Sequence, residues 1–478
     1  MAIKIEWDKR RGQGIIAGDF FDNIRERFSV ANKAAKFARF RGRYIPRRTY
    51  AITPGGRFDV GLYTDIENYI RDSELSTDIL TSKDVMDQIT PGLDAKRISK
   101  LKLSLRDYQK DIVKECLRKG RGTVVLATAG GKTLAIASLL ETFYKKNKGM
   151  TCALIVPDRG LVEQTFNDFS EYGVSFDVSK WTGDDDLDLS SNVIICNLGI
   201  LQSSNSNTEW LSHIDVCVVD EVHKLRRGNK INALFKNMHT PHRFGFTGTM
   251  PEELMDQWNI IGKIGPIIYE RSSYNLRQDK YVADVKAQII QIDYEEGPDY
   301  PTTIKTPAER YQVELDFIIH NDFRNKILTT LCSKFDKNGL ILVDYIEHGK
   351  ILHEWLSSLD KKVYFIRGNV HIEDREKIKQ LMEMDDNVIV VAISKIFSTG
   401  ISINNLHYII FASGGKAKIK TLQSIGRGLR LHKNKRQLII FDIGDNLRYG
   451  AEHLQKRILH YQKENIQYGI KKISEKNC

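Results

Sequence analysis

The stretch that most constrains this chain is Ala127-Thr128-Ala129-Gly130-Gly131-Lys132-Thr133, placed directly after the apolar run Thr123–Leu126 and directly before the helical-looking Leu134–Phe143. A strand that feeds a small-residue loop and then a helix points backbone N–H groups at whatever sits in the loop. Thr128, Gly130 and Gly131 keep that loop tight, Lys132 adds a mobile positive charge, and Thr133 offers a hydroxyl to Mg²⁺. The stretch predicts a cradle for nucleotide phosphates. Leu126 stands where the commonest form of this pattern begins with glycine, so the loop alone also admits a bland reading as a small-residue turn with a surface lysine.

A chain of 478 residues is too long for one core and predicts about three domains. Its six cysteines (Cys116, Cys152, Cys196, Cys217, Cys332 and Cys478) are scattered with no C-x-x-C pair, which argues against a zinc ribbon or a disulfide framework and for a reducing compartment. No segment reads as a signal peptide or as an apolar run long enough to span a bilayer, so a cytoplasmic protein is expected, in the host cytoplasm if phage-encoded. The net charge of +11 is uneven. Residues 1–60 carry 14 Lys/Arg against 6 Asp/Glu, and residues 416–478 carry 15 against 5, so the middle is acidic. Two basic ends around an acidic centre suggest a polyanionic partner, of which nucleic acid is the commonest.

Residues 1–98 read as a small α+β module. Arg25, Arg27, Lys33, Lys36, Arg39, Arg41 and Arg43 are interleaved with Phe28, Phe37, Phe40 and Tyr44, and Arg47, Arg48 and Tyr50 follow. Cations for phosphates and rings for bases make Arg39, Arg41, Arg43, Arg47 and Arg48 candidate nucleic-acid contacts, although some of these rings also suit an ordinary core with a basic rim.

From 99 to 270, short apolar strands alternate with amphipathic helices, which predicts a parallel sheet covered on both faces. The strands expected are Val124–Leu126, Cys152–Val156, Val193–Cys196, Val216–Val219 and a run ending at Phe246. Phosphate chemistry belongs at their carboxyl ends. The fourth runs into Asp220-Glu221-Val222-His223, where Asp220 is placed to hold Mg²⁺ through water and Glu221 to activate the attacking water. Residues 271–478 repeat the alternation, with expected strands Leu340–Val343, Val363–Ile366, Val388–Ala392, Tyr408–Phe411 and Leu438–Phe441 and a basic helical tail. The acidic, turn-rich Tyr294–Pro301 reads as a surface excursion without chemistry. In Gln423-Ser-Ile-Gly-Arg427-Gly-Leu-Arg430 the two arginines stand three apart, on one face of a helix, and could reach a triphosphate held by the other domain.

The phosphate loop, Asp220–His223, the preceding Leu105-Arg106-Asp107-Tyr108-Gln109 and the following Phe246-Thr247-Gly248-Thr249 resemble the ordered motifs of the superfamily 2 helicases. The resemblance implies an α/β fold of two tandem RecA-like parallel-sheet motor domains behind the N-terminal α+β domain. It implies that Arg106 and Gln109 serve the adenine end of the nucleotide, and that His223, Thr247, Thr249 and Gln423 couple hydrolysis to movement. Arg427 and Arg430 join Lys132 and Glu221 in the catalytic set. Val156–Gln164, with Arg159, is similar to a motif that grips nucleic-acid phosphates, and Asn197–Ile200 to a second, weaker one. Arg375, beside Ile366-Arg367-Gly368, and Thr399-Gly400 fall in the order of the later nucleic-acid motifs. Ser402 stands where the commoner form has an acidic residue. The phosphate loop fits the helicase form, except that Ala129 stands where that form often has glycine.

The basic N-terminal module and Ser394–Ser402 further resemble the phage UvsW-type branch-migration helicases. That likeness implies ATP- and Mg²⁺-dependent remodelling of single-stranded, forked or branched DNA in recombination, repair or replication restart, with 3′ to 5′ translocation; a monomer is expected. Two other readings stay open: an RNA helicase or restriction-system translocase subunit of the same superfamily, or a non-catalytic nucleic-acid-binding scaffold.

Overall fold

The structure is a computed structural model and describes the chain apart from residues 1, 33–34, 36–44, 74–76, 94–96, 204–205, 302, 304–305, 368–371, 395–402, 404, 414–434, 436 and 478. The described chain divides into two compact units, residues 1–126 with 131–271, and residues 272–478 with the loop 127–130.

The first unit opens with β1 (Ala2–Asp8), β2 (Gln13–Gly18), β3 (Ser29–Ala31), β4 (Arg48–Tyr50), β5 (Arg57–Phe58) and β6 (Asp78–Thr81). β1 and β2 alternate buried and exposed residues, as a sheet with one covered face requires. They join β5 and β6 in a four-stranded sheet of order β5-β2-β1-β6, while β3 and β4 pair separately as an antiparallel ribbon. The helices Phe21–Arg27, Tyr63–Asp72 and Lys83–Ile89 complete an α+β module.

Seven parallel strands come next along the chain: β7 (Gly122–Leu126), β8 (Cys152–Val156), β9 (Val178–Trp181), β10 (Val193–Asn197), β11 (Val216–Asp220), β12 (His242–Thr247) and β13 (Ile267–Arg271). Their order is β13-β7-β12-β11-β8-β10-β9. β7, β8 and β10 are buried along their whole length, the pattern of strands covered on both faces by helices.

The N-terminal module shares a hydrophobic core with the helix Leu254–Lys263, whose Ile260 packs in the separate core of this sheet. Ile3, Ile5, Ile16, Ile24, Phe28 and Ile66 pack with Trp258 and Ile261 of the helix Leu254–Lys263. The Phe28 and Trp258 rings lie 5.4 Å apart. Beside them Lys263 Nζ pairs with Asp59 Oδ2 at 2.6 Å, and Gln13 Nε2 donates to Asp59 Oδ1. Burial alone pushes the Asp59 carboxyl up, but Lys263 outweighs it and holds the group below its ordinary range. The buried Arg121 guanidinium donates to Gln88 O on the module side and to Lys263 O and Ile264 O on the other. Glycine is required at position 61, where a Cβ would stand 2.0 Å from Ile261 O.

The second unit holds β14 (Asp284–Asp293), β15 (Gly339–Val343), β16 (Lys362–Ile366), β17 (Val388–Ile393), β18 (Tyr408–Phe411), β19 (Gln437–Asp445) and β20 (Gln467–Ser474), all parallel, in the order β16-β17-β15-β18-β19-β14-β20. Two buried ion pairs stitch it together. Arg324 binds Asp445, to which Tyr294 OH also donates at 2.6 Å, and Arg457 binds Asp442. Tyr294, at the head of the expected surface excursion, is therefore a structural residue. The basic tail differs from expectation as well: the helix Arg448–Lys463 is followed by β20, which pairs with β14. β20 is an edge strand exposed on most of its length, and its lysines mask any apolar periodicity.

Among the described residues no helix is long and apolar enough to cross a membrane. The five described cysteines are buried free thiols, and burial pushes Cys217 and Cys332 up to about 12, which makes them poor nucleophiles.

Candidate active site

β7, β12 and β11 are neighbours in the sheet, and their carboxyl ends lead into the phosphate loop, Gly248-Thr249 and Glu221–His223 respectively. β7 ends at Leu126, the loop comes after it, and the helix Lys132–Lys146 begins at Lys132 with Gly131 as its left-handed cap at φ 75°. Ala129 also takes a positive φ of 65°. A residue with a Cβ pays about 1–2 kcal/mol for that conformation, so the one departure from a glycine loop sits at a strained position. Ala129→Gly removes the strain but loosens the unfolded chain. It is expected to change unfolding free energy by no more than about 1 kcal/mol and to keep nucleotide binding, whereas Ala129→Val should lose it. Thermal unfolding and a fluorescent-nucleotide titration check both.

Gln109 is buried and bridges two elements: its Oε1 accepts the Arg106 N–H at 2.9 Å, and its Nε2 donates to Gly131 O at 3.2 Å. Arg106 caps the helix Asp107–Lys119, and its guanidinium reaches Tyr108 OH. The structure thus ties both residues expected at the adenine end to the phosphate loop.

Lys132 Nζ lies 3.1 Å from Glu221 Oε1, and its side chain is only 9% exposed. Glu221 itself stands in the left-handed region at φ 50°, with its N–H donated to Asp220 Oδ1. That strained turn aims the carboxylate at Lys132 instead of continuing β11. Glu221 Oε2 lies 3.2 Å from His223 Nδ1, which is also 2.9 Å from Thr247 Oγ1. Thr247 donates its hydroxyl proton to Thr249 O at 2.9 Å. A carboxylate and a hydroxyl whose proton is already given can only accept, so Nδ1 of His223 carries a proton. Burial raises the affinity of Glu221 for a proton, but Lys132 and then His223 more than offset it, and the carboxyl is held well below its ordinary range. Lys132, Glu221, His223, Thr247 and Thr249 therefore form one continuous polar chain across β7, β11 and β12.

Thr128, Gly130 and Thr133 lie on the loop and the first turn of its helix, and Asp220 on the last residue of β11. Thr133 and Asp220 are oxygen donors, the hard set that suits Mg²⁺. Among the described residues no group of three or more His, Cys, Asp or Glu could hold a metal by itself.

Of the expected nucleic-acid contacts, Arg47 is exposed, while Arg48 is ion-paired to Glu26 at 2.7 Å and donates to Ser29. Arg159 begins the helix Arg159–Tyr172 at the carboxyl end of β8 and is ion-paired to Asp184. Sequence reasoning did not single out Glu26 or Asp184; the acidic run Asp184–Asp186 was the available signal for the second. Arg39, Arg41, Arg43, Thr399, Gly400, Gln423, Arg427 and Arg430 lie outside the described residues, as does the side chain of Arg375.

A phosphate loop, an Asp-Glu strand end and a Thr-x-Thr strand end on neighbouring parallel strands, with a second parallel sheet later in the chain, define a nucleotide-driven motor of the helicase class. Family profiles agree: that of the type III restriction enzyme res subunit matches residues 102–252, and that of the helicase conserved C-terminal domain matches residues 323–432. The chain is 31% identical over 394 residues to the ATP-dependent DNA helicase uvsW of Enterobacteria phage T4, covering 77% of each chain. It is 24% identical to the DNA 3′-5′ translocase XPB2 of Sulfurisphaera tokodaii, covering 79% of this chain and 88% of that one. In fold it is similar to a fragment of a putative HsdR subunit of a type I restriction enzyme from Vibrio vulnificus, with TM-score 0.58, 17% identity, and 79% and 70% of the two chains covered. The chain belongs to the UvsW-type superfamily 2 helicases and is an ATP-driven enzyme.

Proposed function

We propose that this helicase uses ATP and Mg²⁺ to unwind or branch-migrate forked and four-way-junction DNA, moving 3′ to 5′ as a cytoplasmic monomer in recombination, repair or replication restart. The observation that carries the reading is the match to UvsW over more than three quarters of both chains. The basic N-terminal module, which shares its core with the helix Leu254–Lys263, supports it by giving the motor a second surface for branched DNA.

In this reading Lys132 and the loop amides of Thr128, Gly130 and Gly131 bind the ATP phosphates, and Arg106 and Gln109 serve the base. Thr133 and Asp220 hold Mg²⁺, which when bound neutralises phosphate charge. Phosphates arriving at the loop compete with Glu221 for Lys132. Once Lys132 turns to them, Glu221 loses its principal stabilising charge, its proton affinity rises, and it becomes a usable base for the attacking water. His223, held to both Glu221 and Thr247, passes that change to the Thr247–Thr249 turn. Arg427 and Arg430 are assigned to transition-state charge. Arg39, Arg41, Arg43, Arg47, Arg48, Arg159, Arg375, Thr399 and Gly400 are assigned to nucleic acid, and Gln423 to coupling.

The res-subunit profile favours a second reading, a translocase that moves on duplex without separating strands. One panel of 3′-tailed duplex, 5′-tailed duplex, fork, four-way junction and tailed RNA, assayed for strand separation, decides between them. Fork and junction unwinding at rates above the 5′-tailed duplex is expected. ATP hydrolysis stimulated by blunt duplex with no strand separation on any substrate would replace the proposal with the translocase.

A further inference from the structure

The structure points to Asp184 as an internal competitor for the nucleic-acid phosphate, and we infer that its pairing with Arg159 sets how tightly this helicase holds a DNA strand. The inference rests on the reading of Arg159 as a phosphate contact.

Three connections meet at the carboxyl end of the neighbouring strands β8, β10 and β9. The one after β8 is the start of the helix Arg159–Tyr172, capped by Asp158, whose Oδ1 accepts the Leu161 N–H at 3.0 Å. Such a start, with Arg159 as its first residue, attracts an anion. The connection after β9 is Thr182-Gly183-Asp184-Asp185-Asp186, and the one after β10 is the short helix Leu198–Leu201. Gly183 takes φ 98°, and a Cβ there would lie 3.3 Å from Ile200 and 3.7 Å from Arg159, so all three connections touch. Thr182 Oγ1 donates to Asp185 Oδ2 at 2.7 Å and fixes the turn that presents Asp184. Asp184 Oδ2 sits on Arg159 Nη1. Nearby, Lys180 is held in the same way by Glu163 at 2.8 Å.

A carboxylate on a guanidinium at a helix start reproduces the contact that a backbone phosphate makes. Asp184 and Arg159 are 73% and 59% exposed, and an exposed pair of this kind adds little net stability. A fold does not need it, yet a strand must displace it to engage Arg159. Its effect therefore falls on DNA affinity and on the amount of DNA needed to stimulate ATP hydrolysis, not on folding.

The test is anisotropy of a labelled single-stranded oligonucleotide, titrated over a salt series with the 478-residue chain and with Asp184→Asn, Arg159→Ala, the double variant and Asp186→Asn. Asp184→Asn is expected to tighten binding about 2- to 5-fold at low salt, the most an exposed pair allows, with the gain shrinking as salt rises. The gain should vanish in the Arg159→Ala background, and Asp186→Asn, which removes the same charge from the same loop, should show much less of it. Arg159→Ala should weaken binding and reduce the salt slope by about 0.7. If Arg159→Ala leaves binding and slope unchanged, the phosphate role of Arg159 is lost and the inference with it. If Arg159→Ala weakens binding but Asp184→Asn does not tighten it, the competitor role alone is overturned. Equal gains from Asp184→Asn and Asp186→Asn, or a gain that survives in the double variant, overturn it as well.

Discussion

Glu221→Gln is expected to lower DNA-stimulated ATP hydrolysis by about 10²- to 10⁴-fold while ATP still binds. The replacement keeps the size of the side chain and an oxygen that can accept from His223 Nδ1, 3.2 Å from Oε2 in the structure, so the polar chain to Thr247 survives. What disappears is the group able to take a proton from water. Lys132→Ala should act differently, because Lys132 is proposed to bind the ATP phosphates and is also the largest charge favouring ionised Glu221. With it gone, burial pushes the Glu221 carboxyl upward and the loop loses its cation, so binding of ATP weakens together with turnover. Steady-state hydrolysis with saturating single-stranded DNA, paired with fluorescent-nucleotide binding, separates the two outcomes. Turnover by Glu221→Gln within about tenfold of the parent, well short of what a general base contributes, would remove Glu221 from the chemistry.

Much of this site is legible in the sequence because its parts are local. A short, mostly β-branched apolar run such as Val216–Val219 favours a strand covered on both faces, which puts the next two residues, Asp220-Glu221, at its carboxyl end. In the two seven-stranded sheets each of the ten anticipated strands is present within a few residues. The other four strands of these sheets were not anticipated, and the reasons differ. β14 carries Lys286, Gln288 and Gln291 between its buried residues and so alternates instead of running apolar. β9 and β13 are short or half-exposed edge strands, and β20 lies open on most of its length.

The pairing of charges was not legible at all. Nothing in the run Arg47-Arg48 says that Glu26 binds the second and leaves the first exposed. Nothing in Val156–Gln164 says that Arg159 is already matched by a carboxylate from the loop after β9. Local pattern predicts where a charge stands along an element; which opposite charge reaches it depends on how distant segments pack. The same holds for the boundary near residue 98. A change in composition marks where the basic module ends, but the sequence could not reveal that Trp258 and Ile261 complete the module's core.

That shared core leads to a second large effect: Trp258→Ala is expected to destabilise the first unit by about 3–5 kcal/mol. Trp258 is 8% exposed and packs its ring on Phe28, so truncation leaves a cavity in the cluster that joins the module to the helix Leu254–Lys263. Lys263→Ala should cost about 3 kcal/mol by a separate route, since it leaves the Asp59 carboxylate with Gln13 but without its cation. Loss of either is felt on both sides of the shared core, because Ile3 and Ile5 pack in one cluster with Trp258 and Ile261, and Arg121 bridges Gln88 of the module to Lys263 and Ile264. Hydrogen exchange resolved by segment tests this. In both variants, protection of β1 and of β11 should fall together and by similar amounts, as expected when one cooperative unit opens. A module merely tethered to the motor would instead lose protection in β1 alone, with β11 unchanged. Coincident loss means that the N-terminal module and the first motor sheet open as one cooperative unit, with no independently folded module on the near side of Trp258.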